Sequence, residues 1–248
     1  MATSNTPTQF ANFPAGPDYY HFFDDFDDEL ALTSNLPVAA SSRWIGTALS
    51  SGTFAQSTDE KFGVAVLSGA ATTDNSGAQI QADMETFSFV TSKQTDFIVR
   101  LKLSDATQDE FFAGLAITDP TLLDGTGTLA GGLTHTDSIG FYKPDGGTDV
   151  YLVVRRDSVN VASFSVGAVA ADTYAVFAFR VEMSSTAGTG VVRAAKDGNW
   201  VTTSGGAYST TIPYDSEEVL TPSIAFNTGD NSGTKTMTVD YVGARQER

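Results

Sequence analysis

The sequence contains no cysteine among its 248 residues. This absence excludes disulfide bonds, thiolate metal ligands and cysteine nucleophiles together. Histidine is almost as scarce, because His21 and His135 are the only two. No stretch approaches the roughly 18 consecutive apolar residues of a membrane-spanning helix. The polar opening segment also lacks the charged and apolar regions of a signal peptide. We therefore expect a chain that is made in the cytoplasm and stays there until it is assembled or released.

Basic side chains are few as well. Lysine and arginine total 14 against 30 aspartates and glutamates, which gives a formal net charge of −16. Nucleic-acid binding depends on basic side chains that neutralise phosphates, and anionic membranes are disfavoured for the same reason. The sequence therefore predicts neither a nucleic-acid nor a membrane partner. The net charge by itself favours a basic or neutral protein partner.

Residues that would carry catalysis are also missing. A catalytic triad needs a nucleophile, a histidine base and an orienting carboxylate, yet the two histidines lie far apart in sequence and no Gly-x-Ser-x-Gly turn occurs. Sandwich-fold glycosidases place paired carboxylates on one strand, and the acidic runs here, 24–29 and 217–218, do not follow that alternation. We predict a protein that is not an enzyme, with no catalytic, cofactor or metal-binding residues.

Two binding alternatives stay open. Loops 197–199 and 229–233 offer the hard oxygen ligands that calcium prefers, although turn chemistry explains the same residues and the EF-hand spacing is absent. Trp200 follows the first of these loops and could stack against a sugar ring, or pack within a strand.

Short alternating segments separated by glycine-rich turns dominate the chain from about residue 41. Within 96–104, every second residue is apolar, while Arg100 and Lys102 occupy the opposite face; 173–183 repeats this pattern. A period of two is typical of a half-buried strand. Further strands are predicted at 62–67, 78–82, 85–90, 110–117, 137–143, 149–156, 159–166, 191–196, 199–203, 219–227 and 234–245. The pattern predicts an all-β, two-sheet antiparallel sandwich over 41–248 with very little helix.

The first 40 residues differ in composition from the remainder. Residues 1–17 are too polar to pack, whereas the next 12 combine aromatic rings with carboxylates. We interpret 1–40 as an extended N-terminal arm that docks onto its own domain or onto a neighbour. Since aromatic residues dominate binding interfaces, five are predicted to contact the partner: Tyr19, Tyr20, Phe22, Phe23 and Phe26. The alternative is that these rings cover the edge of the sandwich.

One predicted strand is apolar on both faces. It contains Val150, Leu152, Val153 and Val154. Either it is a central strand covered on both sides, for instance by the arm, or it forms a subunit interface, since a large exposed apolar patch is uncommon on a monomer. On the second interpretation the protein is a homo-oligomer, with a trimer favoured over a dimer.

The order of these features resembles the concanavalin-like, or lectin-like, jelly rolls. The resemblance is carried by segments 19–29, 43–47, 95–104, 111–116, 137–142, 179–182, 191–199, 220–225 and 237–242. Together with the acidic N-terminal arm, and without a sugar-site signature, the combination is similar to head decoration (cement) proteins of tailed bacteriophages.

This resemblance implies a structural protein of the virion, located on the outside of the capsid. Its partner would be the major capsid protein or another virion protein, and it would form oligomers there and stabilise the shell. The family has no catalytic residues to carry over and no cofactor. The alternatives are a lectin-like carbohydrate-binding module, for which no glycan is indicated, or another phage surface or fibre component.

Overall fold

Two antiparallel β-sheets form the protein. The computed structural model describes residues 18–26, 43–57, 63–123, 127–129, 132–134, 137–201, 208–210, 218–230 and 232–248. Within these ranges there is no helix, and hence none long and apolar enough to cross a membrane. The strands are β1 (Tyr19–Asp24), β2 (Trp44–Leu49), β3 (Thr53–Gln56), β4 (Ala65–Ser68), β5 (Gly77–Ala82), β6 (Gln94–Leu103), β7 (Asp109–Ala116), β8 (Ser138–Lys143), β9 (Asp149–Arg156), β10 (Val159–Ala168), β11 (Ala175–Met183), β12 (Gly190–Lys196), β13 (Asn199–Trp200), β14 (Tyr208–Thr210), β15 (Thr221–Thr228) and β16 (Thr236–Glu247).

The two sheets stack face to face. Sheet A has the order β13-β12-β11-β6-β16-β4-β3, with β1 beside β16 and β14 beside β12. Sheet B has the order β10-β9-β8-β7-β15-β5-β2. All of the described pairings are antiparallel, and neighbours such as β6 and β16 are far apart in sequence. The predicted all-β, two-sheet antiparallel sandwich is therefore confirmed.

The core lies between the sheets and follows from the period-two alternation. Phe97 of β6 and Phe179 of β11 are fully buried, and their rings stack with centroids 5.3 Å apart. Phe141 of β8 packs on Phe179 from the opposite sheet, with centroids 5.9 Å apart. Large inward-facing rings at alternate positions thus join the two sheets.

Residues 85–90, predicted as a strand, form only an isolated bridge between Phe87 and Leu220. Phe87 and Phe89 are buried as the alternation predicts, but the Ser88 amide donates to the side chain of Gln246, 3.0 Å away, and not to a backbone carbonyl of a neighbouring strand. Strands β1, β2, β3 and β14 were not among the predicted strands.

The predicted start of the sandwich at residue 41 is wrong, because residues 18–26 belong to it; of the two alternatives for the arm, these residues dock onto their own domain. Strand β1 pairs with β16 along its whole length, from Tyr19 opposite Glu247 to Asp24 opposite Val242. The cause is hydrophobic burial, because β1 places Phe22 inward and the chain then places Phe26 in the same core. The parts 1–17 and 27–40 lie outside the described residues.

The interpretation of β9 as a subunit interface is also wrong. Val150, Leu152 and Val154 lie between the two sheets and are buried there. Val153 points outward but is equally buried, in a second cluster with leucines of the connection between β7 and β8. The strand is apolar on both faces because the chain covers both, and among the described residues the outer cover comes from this connection.

Candidate functional site

Each sheet has an outer face on which ligands or partners can bind. In sheet B we define the front face by the outward side chains of its middle strands: Gln79 and Gln81 of β5, Glu110 and Phe112 of β7, Tyr142 of β8, Val153 of β9, and Ser223, Ala225 and Asn227 of β15. They point away from the core because each alternates with a core residue.

The front face is covered by the connection between β7 and β8. Leu122, Leu123 and Leu133 of this connection are buried against Phe112 and Val153. Burying a leucine side chain contributes roughly 1.5–3 kcal/mol, so three leucines hold the described part of the connection firmly on the sheet.

Two glutamines of β5 fix the same connection through its backbone. The Gln79 amide donates to the Asp119 carbonyl at 2.5 Å and accepts from the Leu122 amide at 2.8 Å. The Gln81 amide donates to the Ile117 carbonyl at 3.0 Å and accepts from the Asp119 amide at 3.0 Å. Side-chain amides have both a donor and an acceptor, and each glutamine therefore satisfies two buried or partly buried backbone groups of the connection.

Glu110 is the one acidic residue among the described outward positions of β5, β7, β8 and β15. It is buried and accepts a hydrogen bond from the Tyr142 hydroxyl. A Cβ added at Gly132 would overlap both side chains, so the connection lies directly on them. Retaining glycosidases need two carboxyl groups about 5 Å apart across a sugar-binding groove, and the described front face presents neither feature.

A buried ionisable pair lies at one end of the sandwich, on the inner side. The Lys143 ammonium, fully buried, donates to the carbonyls of Asp109 and Pro144. Burial lowers the pKa of Lys143 to about 8 and raises the pKa of Asp109 to about 7. Among the described residues, Oδ1 of Asp109 has no hydrogen-bond partner, which adds to the cost of its charged form.

This pair predicts a specific pH dependence of stability. Because the folded pKa of Asp109 lies above its ordinary value of 3.8, the folded state binds more protons between about pH 4 and pH 7. The contribution of Asp109 to the free energy of unfolding therefore falls by up to about 4 kcal/mol as the pH rises from about 4 to about 7. Asp109→Asn should remove this fall, which urea unfolding at pH 5 and pH 7.5 measures. If the free energy of unfolding changes with pH in parallel for the variant and the wild type, the raised pKa of Asp109 is not the cause. The control is Asp157→Asn, because the Asp157 side chain is exposed and its replacement should leave the fall in place.

The outer face of sheet A has a different composition and is partly open. We define the aromatic–arginine face by its apolar members Phe23, Ile98, Val176, Ala178, Trp200 and Tyr241 and by its basic members Lys93, Arg100, Lys102, Arg180, Arg193 and Arg245. Its acidic members are Asp96, Glu182, Asp240 and Glu247.

Aromatic rings and basic groups are layered on this face. Phe23 is 43% exposed and stacks on Tyr241 with ring centroids 6.1 Å apart. Burial is the main cause that raises the pKa of the Tyr241 hydroxyl. The guanidinium of Arg100 lies 4.0 Å from the ring centroid of Tyr174, and that of Arg245 lies 5.0 Å from the ring centroid of Tyr19. Stacked guanidinium groups keep their charge while covering apolar surface.

Asp96 is the central acidic group of the face. Its carboxylate is buried and accepts from Arg180 Nε at 2.7 Å, from Arg245 Nε at 2.9 Å and from Gln94 Nε2 at 2.7 Å. The three donors come from β11, β16 and β6 itself, because Asp96 is directly opposite both arginines in the strand register. The carboxylate thereby fixes the orientation of two arginines from different strands.

The predicted partner-binding aromatics divide between the two sides of sheet A. Tyr19 and Phe23 point outward on the aromatic–arginine face. Phe22 and Phe26 are buried in the core, and Tyr20 packs inward on Phe87 with centroids 5.2 Å apart. The prediction that all five contact a partner is therefore wrong for Phe22 and Phe26, which are buried in the core. The alternative, that these rings cover the sandwich, holds for both of them and for Tyr20, which shares the inward side of β1 with Phe22.

Other residues singled out from the sequence also have defined positions. His21 is exposed on β1, whereas His135 lies outside the described residues. In the first glycine-rich turn, Asp197 accepts from the Val176 amide at 2.8 Å; in the second, Asp230 accepts from the Ser232 amide at 3.1 Å. Across the described ranges, no three histidine or acidic side chains converge to hold a metal ion.

Similarity to solved structures is clear in fold and weak in sequence. An endo-1,3-β-glucanase from Streptomyces sioyaensis matches with a TM-score of 0.61 and 11% identity, over 95% of this chain and 99% of that one. Peanut lectin matches with a TM-score of 0.54 and 13% identity, over 92% and 97%. A protein of unknown function from Shewanella oneidensis matches with a TM-score of 0.57 and 11% identity, over 100% and 95%.

The fold is a concanavalin-like jelly roll. These neighbours include an enzyme and a lectin, so the fold by itself does not assign an activity. No protein-family model matches the sequence, and comparison with curated proteins gives no match either.

Proposed function

We propose that this chain is a structural protein of a virion, a decoration protein that binds the outer face of a phage head shell and stabilises it. In this proposal it catalyses no reaction and needs no cofactor. The observation that carries the proposal is the covered front face. A glycosidase needs two carboxylates across an open groove, whereas on the described part of this face three leucines and two glutamines hold the chain's own connection on the sheet.

The remaining support is mechanical and electrostatic. A two-sheet sandwich with a continuous core is a rigid body, as a protein that resists the pressure of packaged DNA must be. Many copies on a lattice convert weak single contacts into strong attachment through multivalency. A net charge of −16 also keeps the copies soluble and off nucleic acid. The sequence resemblance to head decoration proteins agrees with these properties.

The test uses particles of the phage whose genome encodes the chain. We expect mass spectrometry of purified particles to detect the chain in amounts comparable to the major shell protein, and electron cryomicroscopy to locate it on the outside of the head. Particles that lack it should release DNA at a lower temperature. Absence from the particle, or a few copies on the tail alone, would refute the decoration role.

Carbohydrate binding is the second candidate, because the partly buried rings of Trp200 and Tyr241 offer apolar surfaces on which sugars stack. A glycan array separates the two candidates, since a decoration protein should give no signal that depends on these rings. A reducing-sugar assay on β-glucans should likewise show no turnover.

A further inference from the structure

We infer that the aromatic–arginine face is the surface that attaches this chain to its partner, and that the partner presents an acidic protein surface there. This inference rests on the proposed function and adds to it the docking surface and the chemistry of the partner. The first argument is position. The connection between β7 and β8 covers the front face, whereas the aromatic–arginine face keeps an exposed phenylalanine, Phe23.

Composition is the second argument. Tyrosine, tryptophan, phenylalanine and arginine are enriched at the centres of protein interfaces, and lysine and acidic residues are depleted there. On this face Phe23, Tyr241 and Trp200 lie among four arginines, which come from four different strands of sheet A. Phe23 is also the one phenylalanine, tyrosine or tryptophan among the exposed large hydrophobic residues of the described chain.

The arginines are held in place before a partner arrives. Asp96 orients Arg180 and Arg245, and Asp240 pairs with Arg100. Arg193 is paired with Glu182 at 3.4 Å and stays 45% exposed. Ordering long side chains on binding costs about 0.5–1.5 kcal/mol each, so groups that are already ordered bind more favourably.

Charge decides the chemistry of the partner. The described residues of the face include six of the 14 basic and four of the 30 acidic side chains of the chain, a balance of +2. The other eight basic and 26 acidic residues give −18. The net charge of the other residues repels an acidic partner, whereas the positive balance of this face attracts it, which favours one orientation and speeds productive encounter.

The experiment measures attachment of the full-length chain to particles that lack it. Two variants of the face, Phe23→Ser and Arg193→Glu, are compared with two matched controls in sheet B, Val159→Ser and Arg156→Glu. Val159 is 62% exposed, and the Arg156 side chain is 35% exposed. We expect each face variant to weaken attachment about tenfold or more and each control to change it less than about twofold. Unchanged melting temperatures establish that every variant is folded.

A third variant tests the sign of the partner's charge. Glu247 is 38% exposed, lies 4.0 Å from Lys93 and orders none of the four arginines. Glu247→Gln removes an acidic group from the face, so it should strengthen attachment, and added salt should weaken attachment of the wild type. Weaker attachment of Glu247→Gln would overturn the acidic partner. Light scattering of the free chain tests whether a second copy of the chain binds this face instead. If the free chain is an oligomer that Phe23→Ser dissociates, the inference of an acidic partner is also overturned.

The outcomes separate this inference from the proposed function. If the wild type does not attach to particles, the decoration role fails. If the wild type attaches and the face variants attach equally well, the decoration role stands and the docking surface assigned here is wrong. A glycan-array signal that Trp200→Ala abolishes would replace the protein partner with a carbohydrate.

Discussion

Replacing Phe26 with alanine is expected to lower the free energy of unfolding by about 3–5 kcal/mol, the range for a phenylalanine removed from a packed core. Phe26 is 1% exposed, and its ring stacks on Trp44 with centroids 5.7 Å apart. Its carbonyl accepts from Gln56 Nε2 at 2.6 Å. The cavity left by the ring would lie at the junction of both sheets, so the loss affects the sandwich itself and not a detachable arm.

Urea unfolding followed by circular dichroism measures this effect, with Phe23→Ala as the control. Phe23 is 43% exposed, so its truncation should cost less than about 1 kcal/mol. Backbone strain does not complicate the comparison, because the positive φ of 55° at Phe26 is as unfavourable for alanine as for phenylalanine. A loss below about 1 kcal/mol for Phe26→Ala would mean that residues 18–26 are separable from the sandwich.

Asp96→Ala is expected to destabilise the fold by about 3–5 kcal/mol, because it leaves buried cations without their carboxylate. The side chains of Arg180 and Arg245 are only 10% and 9% exposed, and both donate to Asp96. Asp96→Asn should cost less, since the amide oxygen still accepts one of these hydrogen bonds.

The matched control is Asp240→Ala, which removes the partner of Arg100. This ion pair is 36% and 24% exposed, so water replaces the lost contact and the expected cost is at most about 1 kcal/mol. Both variants are compared by their urea midpoints at pH 7. Equal costs would show that burial does not strengthen the Asp96 network. The same comparison at high salt should reduce only the effect of Asp240→Ala, because exposed pairs are screened more than buried ones.

The covered front face of sheet B leaves the outer face of sheet A as the more open surface of this fold. The concanavalin-like neighbours include a glucanase and a lectin, so the same sandwich supports both catalysis and recognition. In this chain the described connection between β7 and β8 uses the front face to build its own second core. The outer face of the other sheet is then the one with exposed aromatic surface and a local charge opposite to that of the chain.

The sequence by itself determined the fold class and the direction of the side chains along the central strands. The alternation at 96–104 and 173–183 placed β6 and β11 to within about two residues and assigned Phe97 and Phe179 to the core. This succeeds because the direction of each side chain along a strand is a local property of the backbone, with a period of two. For the same reason the sequence predicted that Arg100 and Lys102 point away from the core.

Only the tertiary structure decided what lies against each outward face. The cover of Val153 comes from leucines some 20 to 30 residues earlier in the chain, the core position of Phe26 depends on Trp44 and Gln56, and Asp96 meets Arg245 across 149 residues. Such contacts depend on how distant strands pack, which a local pattern does not encode. The net charge of −16 likewise favoured a basic or neutral partner, whereas the fold gathers arginines from four strands onto one face. Composition sums charge over the whole chain, but a partner meets only the charges that folding places side by side.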